Sequence, residues 1–380
     1  MDFSLTPEQE AVQKRAREVA QEVKARAAQL DREDSFPQEI LEVWSKEGFF
    51  GVSLPREFGG RGGDYVSYAL AQMELAQACP SSALMLHVNH SIFSMGVWQY
   101  GSDDQKRRFL PGVVRGKELA SFALTEPQAG SDPSRLQTNA WRDGHNWVLT
   151  GQKNFVTSGQ AARFAMVAAR TDPNREPQKG TSLFIVDMKT TAGVTVGPVE
   201  EKMGLRGARS VSLNFSGAQL PPYALLGEPN NGFKLAMILM DHARVGAAAI
   251  AVGVGRAALQ ESLNYARGRE QFGHPLAKFQ SIQFKLADLA ADLEAATLLT
   301  LKAAWLKDQG QSFTLAAAMA KKFATDTAMA AAQEGLQILG CYGYLKDYPL
   351  ERLFRDAKAG QIYEGTNEIM RLIIARNLLK

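Results

Sequence analysis

The sequence predicts a mostly α protein with a central β domain, and three observations carry that reading. Apolar residues recur at spacings of three and four from the N-terminus to about Glu118, alternate in short β-branched runs up to about residue 229, and then return to helical spacing. No helix-length pattern separates the alternating runs, so the β part is a small antiparallel barrel or sandwich and not a series of βαβ units. The stretches beyond it are long, rich in alanine and leucine and poor in breakers, which predicts a four-helix bundle. The expected domains are therefore an N-terminal helical domain at 1–118, a middle β domain at 119–229 and a C-terminal bundle at 230–380.

Thr6-Pro7-Glu8-Gln9 opens the first helix: Thr6 as N-cap, Pro7 at the first helical position, and Gln9 reaching back as in a capping box. Val12, Ala16, Val19, Val23, Ala27 and Leu30 then form its apolar stripe, with the charges on the other face. Helices are expected over 37–47, 65–77, 82–100 and 103–114. The glycine-rich 55–63 loop lacks the lysine and hydroxyl of a phosphate-cradling P-loop and reads as a surface turn. Met85, Phe93 and Trp98 read as core, and His90, in Val88-Asn89-His90-Ser91, as an interior histidine with satisfied hydrogen bonds. Strands are expected at 146–150, 164–169, 182–186, 194–196 and 211–215, divided by Gly, Asp and Pro turns. The bundle helices are expected at 233–267, 276–307, 313–339 and 366–379. Gly253-Val254-Gly255 imitates a dinucleotide fingerprint, but an alanine-rich helix precedes it where a strand is required, so these glycines are assigned to close helix packing.

Composition excludes several functions. With 45% apolar and 22% charged residues the chain is an ordinary globular one, and a net charge of +3 with interleaved signs gives no nucleic-acid footprint. Two cysteines make no disulfide framework, and the five histidines form no zinc-ligand spacing with them, so no metal is expected. An N-terminus with Glu8 and Glu10 and no apolar core is not a signal peptide, and no membrane span is expected. A reducing, cytoplasmic setting is expected.

The candidate catalytic group is Glu364, in Ile362-Tyr363-Glu364-Gly365-Thr366. An apolar flank disfavours a carboxylate anion and poises a base nearer neutrality, while a glycine lets a ligand approach. Thr366 can cap a last helix whose apolar positions are Ile369, Leu372, Ile373 and Leu378. Thr125-Glu126-Pro127-Gln128-Ala129-Gly130-Ser131-Asp132, at the change from helix to strand, reads as a ligand-holding turn. In the 151–158 stretch, Phe155 and Thr157 are two apart on a strand, and an aromatic beside a hydroxyl suits a planar, hydrogen-bonding cofactor.

With Arg269-Glu270-Gln271-Phe272-Gly273, Gln280 and Gln337-Ile338-Leu339-Gly340-Cys341-Tyr342-Gly343, these motifs resemble the acyl-CoA dehydrogenase family of flavoproteins nearly end to end. The resemblance implies non-covalent FAD between the β domain and the bundle. It places Phe122, Leu124, Thr125, Ser131, Phe155 and Thr157 around the isoalloxazine ring and ribityl chain. Arg269, Gln271, Phe272 and Gln280, joined by Gln337, Gly340 and Cys341, match residues that hold the pyrophosphate and adenine of an adjacent subunit's FAD. Thr366 and Glu368 match further FAD contacts; Asp241, Arg244, Ser131 and Gly365 match substrate contacts. A shared cofactor implies a dimer at least, and the family is usually a homotetramer of paired dimers.

The implied reaction is α,β-dehydrogenation of an acyl-CoA to the trans-2-enoyl-CoA, in fatty-acid or amino-acid catabolism. Glu364 would act as the α-proton base, and electrons would pass to electron-transfer flavoprotein. Some members carry the base just before the arginine matched by Arg244, and here that position is Ala243, which takes no proton. The sequence departs from the family at Phe155, often tryptophan, at Phe122, often tyrosine, and at Cys341, usually glycine; the thiol is expected to be packed and inert. Val88-Asn89-His90-Ser91 is similar to short-chain members and favours a short or medium straight acyl chain. Two alternatives stand beside this reading: a flavin oxidase of the same fold, and a non-catalytic binding protein derived from it.

Overall fold

Thr6 caps the first helix, α1 (Pro7–Glu33), as its sequence predicts: its hydroxyl accepts from the Gln9 backbone N–H at 3.2 Å, and its own N–H donates to Gln9 Oε1 at 3.0 Å. The computed structural model describes residues 3–379; residues 1, 2 and 380, at the outer ends of the first and last expected domains, lie outside it. The buried stripe of α1 lies against α3 (Tyr65–Ala78), with α2 (Gln38–Lys46) between them in the chain. After α3 come α4 (Pro80–His87), a fully buried π-helical stretch at Val88–Ser94, α5 (Met95–Tyr100) and α6 (Asp103–Val114). A π-turn inserts a residue into a helix and rotates the turns beyond it, a device found frequently at functional sites. The glycine-rich loop is a turn folded on its own backbone, with Arg61 N–H donating to Gly51 O at 2.8 Å and Gly62 N–H to Leu54 O at 2.9 Å.

The β domain is one eight-stranded sheet built from β1 (Leu119–Ala123), β2 (Asn139–Asp143), β3 (Asn146–Val156), β4 (Ala162–Arg170), β5 (Thr181–Asp187), β6 (Val194–Val199), β7 (Val211–Leu220) and β8 (Leu225–Leu226). Its order is β6-β7-β3-β2-β4-β5-β8, with β1 attached to β4 off that path, so it is sandwich-like and not a closed barrel. The antiparallel expectation needs correction at two pairings, both made by β4. β1 enters from the helical domain and pairs with β4 in parallel, and β2 meets β4 in parallel at Asn139 and Arg170. The inner face has its own core, with Trp147, Val167, Phe184, Leu213 and Phe215 buried.

The C-terminal part is α7 (Gly232–Gly268), a hairpin of β9 (Glu270–Gln271) and β10 (His274–Pro275), then α8 (Gln280–Asp308), α9 (Thr314–Leu339), α10 (Leu350–Gly360) and α11 (Asn367–Leu378). Of these helices the sequence pattern does not predict α10; it packs on α7 and α9, while α11 packs on α9. By length and composition alone α7 could pass for a membrane span, its best window having a mean hydropathy of 1.6, but 83% of that window is buried inside the protein. It is the central helix of a core. Its glycines do permit close packing. A Cβ on Gly253 would stand 2.4 Å from Met73 O in α3, and one on Gly255 2.5 Å from Leu293 Cδ2 in α8.

Candidate active site

Glu364 stands between the end of α10 and the start of α11, with φ at +56°, in the left-handed region that side chains other than glycine seldom adopt. Gly365 comes next at φ +92°. Two consecutive left-handed residues turn the carboxylate into the protein, where its side chain is 9% exposed. Oε1 is bonded to His87 Nε2 at 2.6 Å, and Oε2 is buried without a partner. Among the described residues no acceptor takes the Glu364 backbone N–H. The apolar wall expected from Ile362 is absent, because Ile362 points outward and is 56% exposed. The apolar flank that remains is Tyr363, which packs against the hydrophobic core.

The loop is clamped from below. Lys321 of α9, fully buried, donates from Nζ to Gly365 O at 2.7 Å and to Asn367 Oδ1 at 3.0 Å. Desolvation pushes that ammonium down to about 8, opposed by the nearby Glu364 charge. Thr366 caps α11 as expected, its hydroxyl accepting from Ile369 N–H at 3.3 Å. Glu368, in the exposed first turn, is held below the usual carboxylate range by its own backbone N–H and then by the Thr366 side chain. On α7, Arg244 donates to Asp241 Oδ1 at 2.5 Å, and Thr314 donates to Asp241 Oδ2 at 2.5 Å. The pair is buried and the Arg244 Nε has no partner.

The turn after β1 and the end of β3 are joined by a buried ion pair. Lys153 Nζ donates to Glu126 Oε1 at 2.6 Å and to Leu124 O at 3.1 Å, and Asn154 N–H donates to Thr125 O at 2.9 Å. Glu126 also accepts the N–H groups of Gln137 and Thr138. Desolvation lowers the Lys153 ammonium to about 8 against the attraction of Glu126. Phe122, Leu124 and Thr125 thus sit on a braced edge, with Ser131 exposed farther along the turn. The same-face argument for Phe155 and Thr157 is corrected. The pairing of β3 with β7 shifts between Lys153 and Val156, Phe155 takes φ +55°, and Thr157 lies beyond the strand. This bulge leaves the Phe155 ring 65% exposed.

A third group gathers at the far end of the bundle. The Arg269 guanidinium lies 5.6 Å from the Tyr342 ring centroid, which brings the hairpin motif against the Gln337–Gly343 stretch. Phe272 is 92% exposed at φ +54°, and Gln271 and Gln280 are exposed beside it. Gly340 adopts φ +58° and ψ −135°, with open space where a side chain would be. Cys341 is exposed, contrary to the packed thiol expected, because it falls in the short 3-10 turn beyond α9. FAD fits these features: uncovered aromatic rings at Phe155 and Phe272 for its flat ring systems, and an arginine beside an open glycine backbone for its diphosphate.

Sequence reasoning missed three contributors. His87 and Lys321 hold the motifs from outside them, and the Lys153–Glu126 ion pair ties together two motif stretches whose contact the sequence does not show. Only Lys321 leaves a trace, as a cation in the alanine-rich face of α9. His90 is less satisfied than expected: Nε2 faces Ser53 Oγ at 3.1 Å, but Nδ1 is buried without a partner.

Known proteins share the same three-part division. The chain matches the acyl-CoA dehydrogenase N-terminal domain over residues 6–117, the middle domain over 121–218 and the C-terminal domain over 230–379. It is 41% identical over 381 residues to the probable acyl-CoA dehydrogenase YngJ of Bacillus subtilis, covering 100% of both chains. It superposes with a TM-score of 0.97 on butyryl-CoA dehydrogenase from Megasphaera elsdenii, at 40% identity and 100% coverage of each. A chain from a structure of the electron transferring flavoprotein of Acidaminococcus fermentans gives 0.98 at 39% identity, again covering 100% of each.

Proposed function

The chain belongs to the acyl-CoA dehydrogenase family, and from that premise we propose that it removes the α- and β-hydrogens of a short-chain acyl-CoA, with Glu364 as the α-proton base. It is an oxidoreductase and its cofactor is FAD. When bound, FAD supplies the two-electron acceptor for the hydrogen leaving the β-carbon. The protein's own groups do the rest.

The observation that carries the reading is the state of Glu364: one carboxylate oxygen is held and the other is buried, unpartnered and free to take a proton. A thioester carbonyl gains negative charge as the α-proton leaves, and the uncommitted Glu364 backbone N–H is a donor available to that oxygen. Lys321 fixes the loop through the Gly365 carbonyl, so base and donor keep one geometry. Ala243, on α7, offers no competing base.

The residues proposed to hold FAD are those the resemblance names. Phe122, Leu124, Thr125, Ser131, Phe155 and Thr157 would border the flavin. Arg269, Gln271, Phe272, Gln280, Gln337, Gly340 and Cys341 would hold the diphosphate and adenine, and Thr366 and Glu368 would add contacts. Asp241, Arg244, Ser131 and Gly365 would meet the substrate. A homotetramer is supported by apolar side chains left uncovered on α8 and α11, Phe284 at 58%, Trp305 at 50%, Leu372 at 50% and Leu378 at 66% exposed. Likeness to butyryl-CoA dehydrogenase favours a short chain, and the match within an electron transferring flavoprotein structure favours that protein as acceptor.

Anaerobic mixing of the holoenzyme with acyl-CoAs of graded length, branched and aryl thioesters included, tests this by bleaching of the flavin band. Short straight chains are expected to bleach it, and Glu364→Gln is expected to bind FAD and the thioester yet lose reduction by at least about 100-fold. Full activity in that variant would falsify the base assignment. Oxygen consumption without an acceptor protein would favour the oxidase alternative.

A further inference from the structure

The side chain nearest the proposed base belongs to none of the motifs. His87, the last residue of α4, is fully buried, and its Nε2 lies 2.6 Å from Glu364 Oε1 across 277 residues of chain. Its Nδ1 lies 2.9 Å from the Tyr68 hydroxyl and 3.2 Å from Ser91 Oγ. Space for this arrangement comes from Gly246 of α7, where a Cβ would stand 2.1 Å from His87 Nδ1 and 2.6 Å from the Tyr68 oxygen.

The hydrogen bonds around Tyr68 fix the proton on the ring. The Tyr68 oxygen accepts from Ser91 Oγ at 2.7 Å and from Gln72 Nε2 at 3.1 Å. With its acceptor positions taken, Tyr68 must donate its own hydrogen, and the group in reach is His87 Nδ1. Nδ1 is then the acceptor nitrogen, and Nε2 carries the hydrogen that points at Glu364. Gln72, Tyr68 and His87 thus donate in one direction, ending on one carboxylate oxygen. Such a chain polarises each member toward the anion. It is a brace for the carboxylate and not an exit for a proton, since every hydrogen in it already faces Glu364.

The other ionisable groups around this centre do not replace His87. From the π-helical stretch, His90 is held well below its ordinary value by burial and by Lys307, and it stacks on Tyr68 with ring centroids 4.1 Å apart. From α7, His242 is pushed down to about 3 by burial and Lys307. From α3, the phenols of Tyr65 and Tyr68 are raised by burial, as is that of Tyr363 beside Glu364. From α9, Lys321 is committed to Gly365 O and Asn367.

We infer that His87 is the positioning residue of the base: as an Nε2–H donor backed by Tyr68, it holds Glu364 Oε1 and leaves Oε2 as the single oxygen that takes the α-proton. This rests on Glu364 being the base.

The test uses holoenzyme carrying His87→Phe, which keeps ring volume without a donor, and His87→Gln, whose amide can restore one. Flavin reduction by butyryl-CoA is followed in anaerobic single turnovers across pH, with thioester affinity taken separately from the flavin spectral shift. His87→Phe is expected to slow reduction about 100-fold with affinity changed less than about threefold, and to move the acid limb of the rate profile to higher pH. His87→Gln is expected to recover to within about tenfold of the parent, and its acid limb still carries the test if the Phe variant holds no FAD. In a Glu364→Gln background, His87→Phe should have no further effect on the residual rate. An unchanged rate and profile in His87→Phe, or a faster rate, would overturn the inference, the latter by making the contact a latch that parks the carboxylate. Loss of the base reading has a separate signature: an active Glu364→Gln enzyme.

Discussion

Replacing Lys321 with methionine should separate stability from catalysis. The ammonium is fully buried, and its ordinary value of 10.5 falls to about 8, so the charged form is disfavoured on the order of 3 kcal/mol relative to water, net of the nearby Glu364 charge. Its charge-assisted bonds to Gly365 O and Asn367 Oδ1 are worth about 1.5–3 kcal/mol each. Methionine removes both terms at nearly constant volume, and Asn367 Oδ1 keeps its bond from Thr325 at 3.2 Å. Stability near neutral pH should therefore change by less than about 2 kcal/mol. The carbonyl next to Glu364 loses its anchor, however, and a base loosened by ~1 Å costs about 100-fold in rate. Linkage adds a pH signature. Between about 8 and 10.5 the unfolded chain binds the proton that the folded one has lost, so the parent gains stability as pH rises through that window. The Lys321→Met variant should lack that gain. Urea midpoints at about pH 7.5 and about pH 9.5, with flavin-reduction rates on the same samples, measure both. Reduction within twofold of the parent would sink the clamp, and parallel pH slopes would sink the buried-ammonium account.

Two further outcomes concern buried charges. Lys153→Met leaves Glu126 buried without its cation, which should cost about 3–5 kcal/mol and untie the Leu124–Thr125 edge; FAD retention through gel filtration should fall, and full retention with an unchanged melting temperature would contradict the role given to this pair. Asp356 of α10 accepts the Leu205 N–H at 2.6 Å, and burial raises its carboxyl to about 6 despite Arg352. Its protonated form favours the fold, so that contribution is fully present below about 3.8 and lost as pH rises through about 6, on the order of 3 kcal/mol in all. Asp356→Asn keeps the acceptor and should flatten that part of the urea-midpoint profile; an unaltered slope would refute it.

The three-part fold is legible because helical and alternating periodicities are sustained over long windows. The elements without a legible pattern are short: β1, β2 and β8 are two to five residues each, and α10 is an 11-residue helix after an aromatic turn. The binding motifs are legible because a turn that holds a ligand needs particular residues close together in sequence. Their supports are not. His87 reaches Glu364 across 277 residues and Lys153 reaches Glu126 across 27, separations that carry no periodic signal. The bulge at Phe155 is hidden for another reason, since a left-handed phenylalanine inside a strand pattern is visible only in the pairing register.

Gly246 has a consequence for how this protein can change over evolutionary time. Its missing side chain is the volume that His87 and Tyr68 occupy, so a methyl group there and an imidazole at 87 exclude one another. The order of substitution then matters: a drift from glycine at 246 is open only to a lineage that has already surrendered the histidine. Two positions on separate helices, 159 residues apart in the chain, share a single history.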